Sequence, residues 1–421
     1  MKKMLSILLV IVMLSISSIA VYANDYLDED LQNDVFAIEA QLPDDEASLS
    51  AAITPSVGSM APPNPETVLV ESLDQTTFAT SYWDGDVFRI TPVPGRRDEV
   101  VAAVTMAQMA RNNNLPQIVV DIETRLGTVY SMAEREAAYE YLLENDVALN
   151  IQGVGFQVEG LAVFMNEGAT EADKAAVLEA SPISSLKFYD AIVLNSPSDQ
   201  LNSAHRSELQ NIEPRASAVS IRAGNWLRRT SAQNWSTVTV PAVFMHGTSS
   251  ELWGILTVGH GWRNGQSVFA TSGQSIGTAR VTLRPNLDIN FVPLSPNNMH
   301  LYPGNTLRNG GTFTRWQPLA STDLRREITS HGANSGTRNG RIETVRITVT
   351  FNFEEGSLRF DNVTHTNIGV ITGDSGGPVL FRNTTTVVGL IIGGWGDGPS
   401  FFLPLEHVFG ANAGTNLRLA I

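Results

Sequence analysis

The 421-residue chain contains no cysteine, and that one absence excludes thiol nucleophiles, thiolate metal sites and disulfide staples together. Any nucleophile has to be an oxygen. Lysine is scarce too: the last is Lys187, and every basic residue beyond position 215 is arginine. A long apolar run occurs once, from Met4 to about Val21 behind Lys2 and Lys3. The run is short for a span, small residues follow at its end, and the sequence turns acidic and polar from Asn24. Residues 1–23 therefore read as a removable secretory signal. No later run reaches the roughly 18 apolar residues of a spanning helix. The expectation is a secreted, extracellular product without membrane contact, held together by core burial alone and long enough for two or three domains.

Charge divides the chain. Residues 24–215 carry 32 acidic and 10 basic side chains, whereas residues 216–421 carry 11 acidic and 16 basic ones. Opposite net charge of this kind favours docking of the halves on one another. Residues 24–65 are acidic and then rich in Ala, Ser and Pro, a flexible leader. Residues 66–215 read as an α+β unit. Helices are predicted near 98–112, 131–145 and 171–180, two of them opened by capping boxes at Ser131 with Glu134 and Thr170 with Asp173. Strands are predicted at 117–122, 160–165 and 186–194. From 216 the texture changes to short β-branched and aromatic runs between Gly, Asn, Ser and Pro, such as STVTVPAVFM, INFVPL and TVVGLIIGG. Many short strands argue for a sandwich or barrels, and about 200 residues can hold two small barrels.

Chemistry concentrates around Gly373-Asp374-Ser375-Gly376-Gly377-Pro378. Glycines let the backbone turn tightly and aim successive N–H groups at one spot, where an oxyanion could be held. A serine nucleophile also needs a base, and the base an orienting acid. Of the seven histidines, His260 stands out: an apolar strand, Gly254 to Val258, delivers it between two glycines. Asp288 opens another apolar strand 28 residues on, where a carboxylate is costly unless paired. Asp323 and Asp361 are the other acids considered, in more polar settings.

These residues resemble the chymotrypsin-like serine proteases: Thr257-Val258-Gly259-His260, Asp288-Ile289-Asn290-Phe291-Val292 and the GDSGGP run occur in that family's order. The nearer resemblance is to the secreted bacterial streptogrisin and α-lytic protease branch. It is carried by Thr366-Asn367-Ile368, by Val388 to Gly394 followed by Phe401 to Leu405, and by Ser335-Gly336-Thr337 with Asn339 to Ile342. It covers roughly residues 216–421 and implies an all-β domain of two six-stranded antiparallel β-barrels preceded by an α+β pro-region. It further implies Ser375 as nucleophile, His260 as base, Asp288 as orienting acid, and the N–H groups of Gly373 and Ser375 as oxyanion hole. Ile392, Gly393 and Gly394 would pair with a polypeptide substrate as an added strand. The pocket walls would come from about 369–372 and 392–396. The pro-region would act as intramolecular inhibitor and folding aid, cut away between about 205 and 220.

Three departures mark the chain. Gly261, Gly369 and Gly398 stand where family members carry cysteine. Ile392 replaces a frequent serine. The arginine that pairs with the aspartate before the nucleophile is missing, which leaves His331, Arg325 or Arg326 as candidates for Asp374. No Asp or Glu lies among 369–372 or 392–396, which argues against a pocket for Lys or Arg side chains, and Thr372, Ile392 and Trp395 suggest an apolar or mid-sized partner. Two rival readings exist. Ser375, Asp397 and His407 occur in α/β-hydrolase order, but that elbow needs a helix after the serine and Pro378 begins a strand-like run. A binding or adhesion module on a protease fold is the other. The sequence predicts no cofactor, metal or nucleic-acid partner, and a monomer.

Overall fold

The computed structural model describes residues 58–62, 64–109, 119–125, 128–192, 221–230, 234–246, 250–295, 298, 304–353, 356–394 and 399–421. The signal, most of the leader and the expected cleavage region near 205–220 lie outside them. Helices are few: α1 (Pro65–Glu71), α2 (Arg97–Met109), α3 (Met132–Glu144), α4 (Glu171–Ala180) and the single turn α5 (Glu406–Phe409). Both capping boxes form. The Glu134 carboxylate accepts the Ser131 N–H at 2.7 Å while Ser131 Oγ accepts the Glu134 N–H at 3.2 Å, and Thr170 and Asp173 do the same at 2.7 and 3.3 Å. Among the described residues, no helix is long and apolar enough to cross a membrane.

Strands carry the rest. Before residue 193 these are β1 (Ser59–Met60), β2 (Phe78–Asp84), β3 (Val87–Pro92), β4 (Val119–Ile122), β5 (Ile151–Phe156), β6 (Leu161–Met165) and β7 (Leu186–Tyr189). A first group after 220 comprises β8 (Trp226–Arg228), β9 (Asn234–Thr237), β10 (Val240–His246), β11 (Ser250–Thr257), β12 (Ser267–Ala270), β13 (Ser275–Thr278), β14 (Arg280–Arg284) and β15 (Leu287–Pro293). The last group is β16 (Arg315–Trp316), β17 (Glu327–Gly332), β18 (Gly336–Phe353), β19 (Gly356–Thr366), β20 (Pro378–Phe381), β21 (Thr386–Gly394), β22 (Ser400–Pro404) and β23 (Leu417–Leu419).

Hydrogen bonding does not sort these strands into two sets of six. The first group forms a five-stranded sheet, β14-β15-β11-β10-β23, and a four-stranded one, β13-β12-β8-β9. Leu227, Val268 and Ile276 from the smaller sheet and Ile255 and Val292 from the larger bury their side chains in one shared core. Strand β23, from the C-terminus, crosses over to pair with β10. The last group belongs to an eleven-stranded sheet that also takes in β1 and β5–β7. The reason is open edge: β18 is 18 residues long, more than its neighbours β17 and β19 satisfy on both sides, and β5 fills the remainder with Val345 opposite Phe156 and Val349 opposite Gly153.

The apolar interior likewise ignores position 215. Phe156, Tyr139 and Leu142 share a core with Ile342, Val345 and Phe381, and Phe164 shares another with Phe351 and Phe401. Residues 58–62 need a correction as well. The sequence places them in the flexible leader, yet Ser59 and Met60 run parallel to Arg315 and Trp316, and the Gly58 N–H donates to the Leu419 carbonyl at 2.8 Å. The acidic run that gives the leader its character ends well before them, and Ala61 is buried.

Candidate active site

Strand β11 ends at Thr257, and the next three residues carry the chain to His260. Strand β15 lies beside it, with Leu256 opposite Phe291. Asp288 near the start of β15 is fully buried, so its charge needs partners. It has three. Oδ1 accepts the N–H of Gly259 at 2.8 Å and of His260 at 2.7 Å, and Oδ2 lies 2.5 Å from His260 Nδ1. The carboxylate thereby fixes both the backbone and the ring of the histidine. A Cβ at Gly259 would lie 2.6 Å from the Ile289 carbonyl oxygen, so only glycine lets the two strands close to this distance. The alternative acids are engaged elsewhere: the Asp323 carboxylate accepts from Arg326 and the Ala320 N–H, and that of Asp361 from Asn286 Nδ2 and Thr348 Oγ1.

Ser375 sits half-buried on the turn between Ile371 and Pro378. Gly373 and Gly376 hold φ of 96° and 91°, the left-handed region that glycine tolerates without strain. The hydrogen bonds of this turn can be accounted for one by one. Asp374 N–H donates to Ile371 O at 3.0 Å, Gly376 N–H to Ile391 O at 2.7 Å and Gly377 N–H to Asp374 O at 2.8 Å. Among the described residues, the N–H groups of Gly373 and Ser375 have no acceptor. Gly373 is buried and Ser375 half-buried, and backbone donors out of water are nearly always paired, so two without an acceptor in one turn are a departure. They are the two that the resemblance assigns to an oxyanion.

Asp374 proves to use none of the three candidates. Its Oδ1 accepts the N–H of Asn334 at 2.9 Å and of Ser335 at 3.0 Å, and Oδ2 accepts the Ile371 N–H at 3.0 Å. His331 is 3.2 Å from Thr337 Oγ1 through its Nδ1 and is pulled down to about 4 by burial. Arg325 pairs with Glu159, and Arg326 with Glu66 and Asp323. A turn's backbone amides therefore replace a cation.

Three threonines join the serine turn to the histidine strand. Thr237 N–H donates to the Ser375 carbonyl at 2.8 Å, and Thr237 Oγ1 to the Gly373 carbonyl at 2.7 Å. Thr239 Oγ1 donates to the Gly376 carbonyl at 2.5 Å. Thr257 Oγ1, three residues ahead of His260, donates to the Thr237 carbonyl at 2.7 Å. Gly376 packs so tightly that a Cβ there would lie 2.4 Å from Thr257 Oγ1. Asp288 and His260 thus meet by a direct bond, and the turn that carries Ser375 is tied through this junction to the strand that leads to His260. The sequence marks Thr257 only as part of the run that ends at His260, and Thr237 and Thr239 not at all, because an isolated hydroxyl in a strand carries no motif. Nor does it mark Phe353, whose ring stacks on the His260 imidazole with centroids 5.4 Å apart and planes at 22°.

The expected substrate strand has a free side. Ile392 is buried; Gly393 faces Phe401 and Gly394 faces Ser400 on β22, and on the opposite edge of residues 392–394 no strand pairs among the described residues. Beneath it, a Cβ at Gly394 would lie 2.6 Å from Val370 Cγ2 and 2.9 Å from Ser400 Cβ, a narrow and mostly apolar floor. Trp395, Asp397 and Gly398 lie outside the described residues. The α/β-hydrolase order has no elbow to sit on, since Pro378 begins a strand and His407 is in α5.

No family model matches the chain, and no curated protein does. Solved structures do. Thermobifida fusca Protease A is 25% identical, over 47% of this chain and 97% of that one, with a TM-score of 0.37. What the chain resembles are proteases. Nocardiopsis Protease is 23% identical, over 47% of this chain and 98% of that one, with a TM-score of 0.37. A glutamic acid specific serine protease is 19% identical, over 47% of this chain and all of that one, with a TM-score of 0.38.

Proposed function

We propose that the chain is the precursor of a secreted serine endopeptidase. The observation that carries this reading is the pair of N–H groups at Gly373 and Ser375 that have no acceptor among the described residues, in a turn whose neighbouring amides at 374, 376 and 377 are all engaged. Ser375 Oγ attacks the carbonyl carbon of a peptide bond while His260 takes its proton. The carbonyl oxygen becomes an oxyanion held by the two N–H groups. Collapse of the tetrahedral intermediate breaks the C–N bond, and His260 returns the proton to the leaving amine. Water then hydrolyses the acyl-enzyme by the same proton relay. Asp288, bonded to Nδ1, keeps that nitrogen protonated so that Nε2 is the basic one, and it stabilises the imidazolium. Substrate lies along the free edge of Ile392, Gly393 and Gly394.

In this reading residues 1–23 are the signal, and residues 24 to about 215 include a pro-region that assists folding and restrains the protease. Supporting observations are the pairing of β5 with β18 and the apolar core shared across position 215. The mature enzyme acts outside the cell as a monomer, on polypeptides, without cofactor or metal. A fluorophosphonate probe on processed protein tests the assignment. Labelling of wild type and none of Ser375→Ala is the expected result. Unlabelled wild type, after confirmed removal of the pro-region, would leave a binding module on a protease fold as the better reading.

A further inference from the structure

Seven non-glycine residues hold a positive φ among the described residues, and five of them are asparagine, whose short polar side chain tolerates the left-handed region. The other two are Arg325, at 59°, and Arg346, at 51°. An arginine Cβ crowds the following carbonyl in that conformation, so each needs support from outside its own strand. For both, support comes from before residue 193. Glu159 is 2.8 Å from Arg325, whose guanidinium lies 5.1 Å from the centre of the Tyr82 ring. Arg346 is held more fully: Glu136 in α3 takes both its terminal nitrogens, at 2.6 and 3.0 Å, and the Phe156 and Tyr139 rings lie 4.8 and 5.6 Å from the guanidinium.

Arg346 is also where β18 changes face. From Thr344 to Ile347 the strand advances three residues while β19 covers two, between His365 and Val363. From Val345 to Thr348 it again advances three, against two on β5 between Phe156 and Val154. Arg346 lies inside both gaps, the extra residue of a bulge in each ladder. An extra residue reverses which side of the sheet the following side chains take. Val345 accordingly lies in the core with Phe156 and Leu142, whereas Ile347, Val349 and Phe351 lie in the core with Phe164 and Phe401. Two residues further on, Phe353 reaches the His260 ring. Just past the bulge, the Tyr139 hydroxyl is 2.8 Å from Thr348 Oγ1, so one helix of the acidic half holds the strand at both 346 and 348.

We propose that the acidic half sets the register of the β18–β19 hairpin by gripping Arg346, so that α3 decides which face of residues 347–353 meets the core and whether Phe353 meets His260. Without the grip, the left-handed backbone is the costlier choice for an arginine. The strand then straightens through 346, and the side chains beyond it present their opposite face. Glycine holds the left-handed backbone with no Cβ to crowd. At position 346 it makes the grip dispensable.

The chain has no cysteine, so one introduced pair can report the register. Asn352 and Ser357 are cross-strand partners beyond the bulge whose side chains meet at 2.7 Å, and a one-residue slip sends them to opposite faces. Full chain carrying Ser375→Ala, Asn352→Cys and Ser357→Cys is equilibrated in a glutathione redox buffer, and its disulfide is scored by thiol titration. This parent should close. In the Glu136→Ala/Tyr139→Phe background the equilibrium constant for closure should fall by about tenfold, as the left-handed residue loses its support, and adding Arg346→Gly should restore it. A parent that stays reduced, or closure unchanged by the double substitution, overturns the proposal. So does a fall that Arg346→Gly leaves uncorrected, which would make Glu136 an ordinary ion-pair partner. If circular dichroism shows that the double variant is unfolded, Glu136→Ala alone is measured under the same criteria. The readout does not depend on catalysis, so failure here leaves the assignment of Ser375 untouched.

Discussion

Asp288 and Asp374 are both buried aspartates, and each is held by backbone N–H groups, yet they serve opposite ends of the site. Asp288 spends one oxygen on the amides of Gly259 and His260 and the other on the imidazole. Asparagine there would keep the shape but present an N–H₂ group or a neutral oxygen to Nδ1, so the ring loses its tautomer. Turnover of Asp288→Asn should fall by about four orders of magnitude, with melting little changed; steady-state kinetics on any cleaved peptide decides it, and a loss below tenfold would remove Asp288 from the reaction. Asp374 touches only amides, those of Asn334, Ser335 and Ile371. Alanine leaves three part-buried donors without their acceptor, so Asp374→Ala should lose about 2–3 kcal/mol in urea unfolding, and asparagine less. The first aspartate was legible because apolar neighbours on a strand make a carboxylate conspicuous. The partners of the second were not, because a backbone amide belongs to every residue and leaves no mark in the sequence.

The element that joins these parts is the hairpin of β18 and β19. Its flank takes β5, and Phe353 near its tip stacks on His260, so a single element touches both the acidic half and the His260 ring. Removing the Phe353 ring frees one face of the imidazole. An aromatic contact of this kind is worth about 0.5–1.5 kcal/mol, so Phe353→Ala should lower kcat/KM by about threefold to tenfold, and Phe353→Tyr should restore it. At the hairpin's other strand, Asn362 donates to Glu406 in α5, and burial pushes the Glu406 carboxyl up to about 7 from its ordinary 4.5. A carboxyl whose folded value is raised stabilises the fold fully below its unfolded value and loses that contribution as pH rises through 7. Glu406→Gln should therefore gain on wild type in Tm at about pH 8 and show little difference at about pH 5. A gap that does not change between the two pH values would mean that Glu406 stays ionised. Helices with capping boxes and strands of β-branched residues were legible element by element. Their long-range pairing was not: nothing local to Val154 states that it will face Thr348, and the unused edge of an 18-residue strand shows only once the sheet exists.

Across the whole molecule the charge asymmetry becomes a set of contacts. Arg326 meets Glu66 at 3.1 Å, Arg346 grips Glu136 at 2.6 and 3.0 Å, Arg359 meets Asp146 at 3.4 Å and Arg325 meets Glu159 at 2.8 Å. In every pair the arginine comes from beyond position 215 and the acid from before it. Most of these pairs are partly exposed, so each adds only a few tenths of a kcal/mol and is screened by salt, together about 1–2 kcal/mol. The β5–β18 ladder and the shared apolar core are indifferent to salt or strengthened by it. If the chain is cut between about 205 and 220 as proposed, the two pieces should therefore stay together in dilute buffer. Raising sodium chloride from about 0.05 M to 0.5 M should weaken their association by about tenfold without abolishing it. Size-exclusion chromatography of nicked protein across that range measures this directly. Dissociation at the lowest salt would mean that the shared core does not hold once the chain is broken, and an affinity that does not move with salt would mean that the opposite charges of the two halves play no part in joining them.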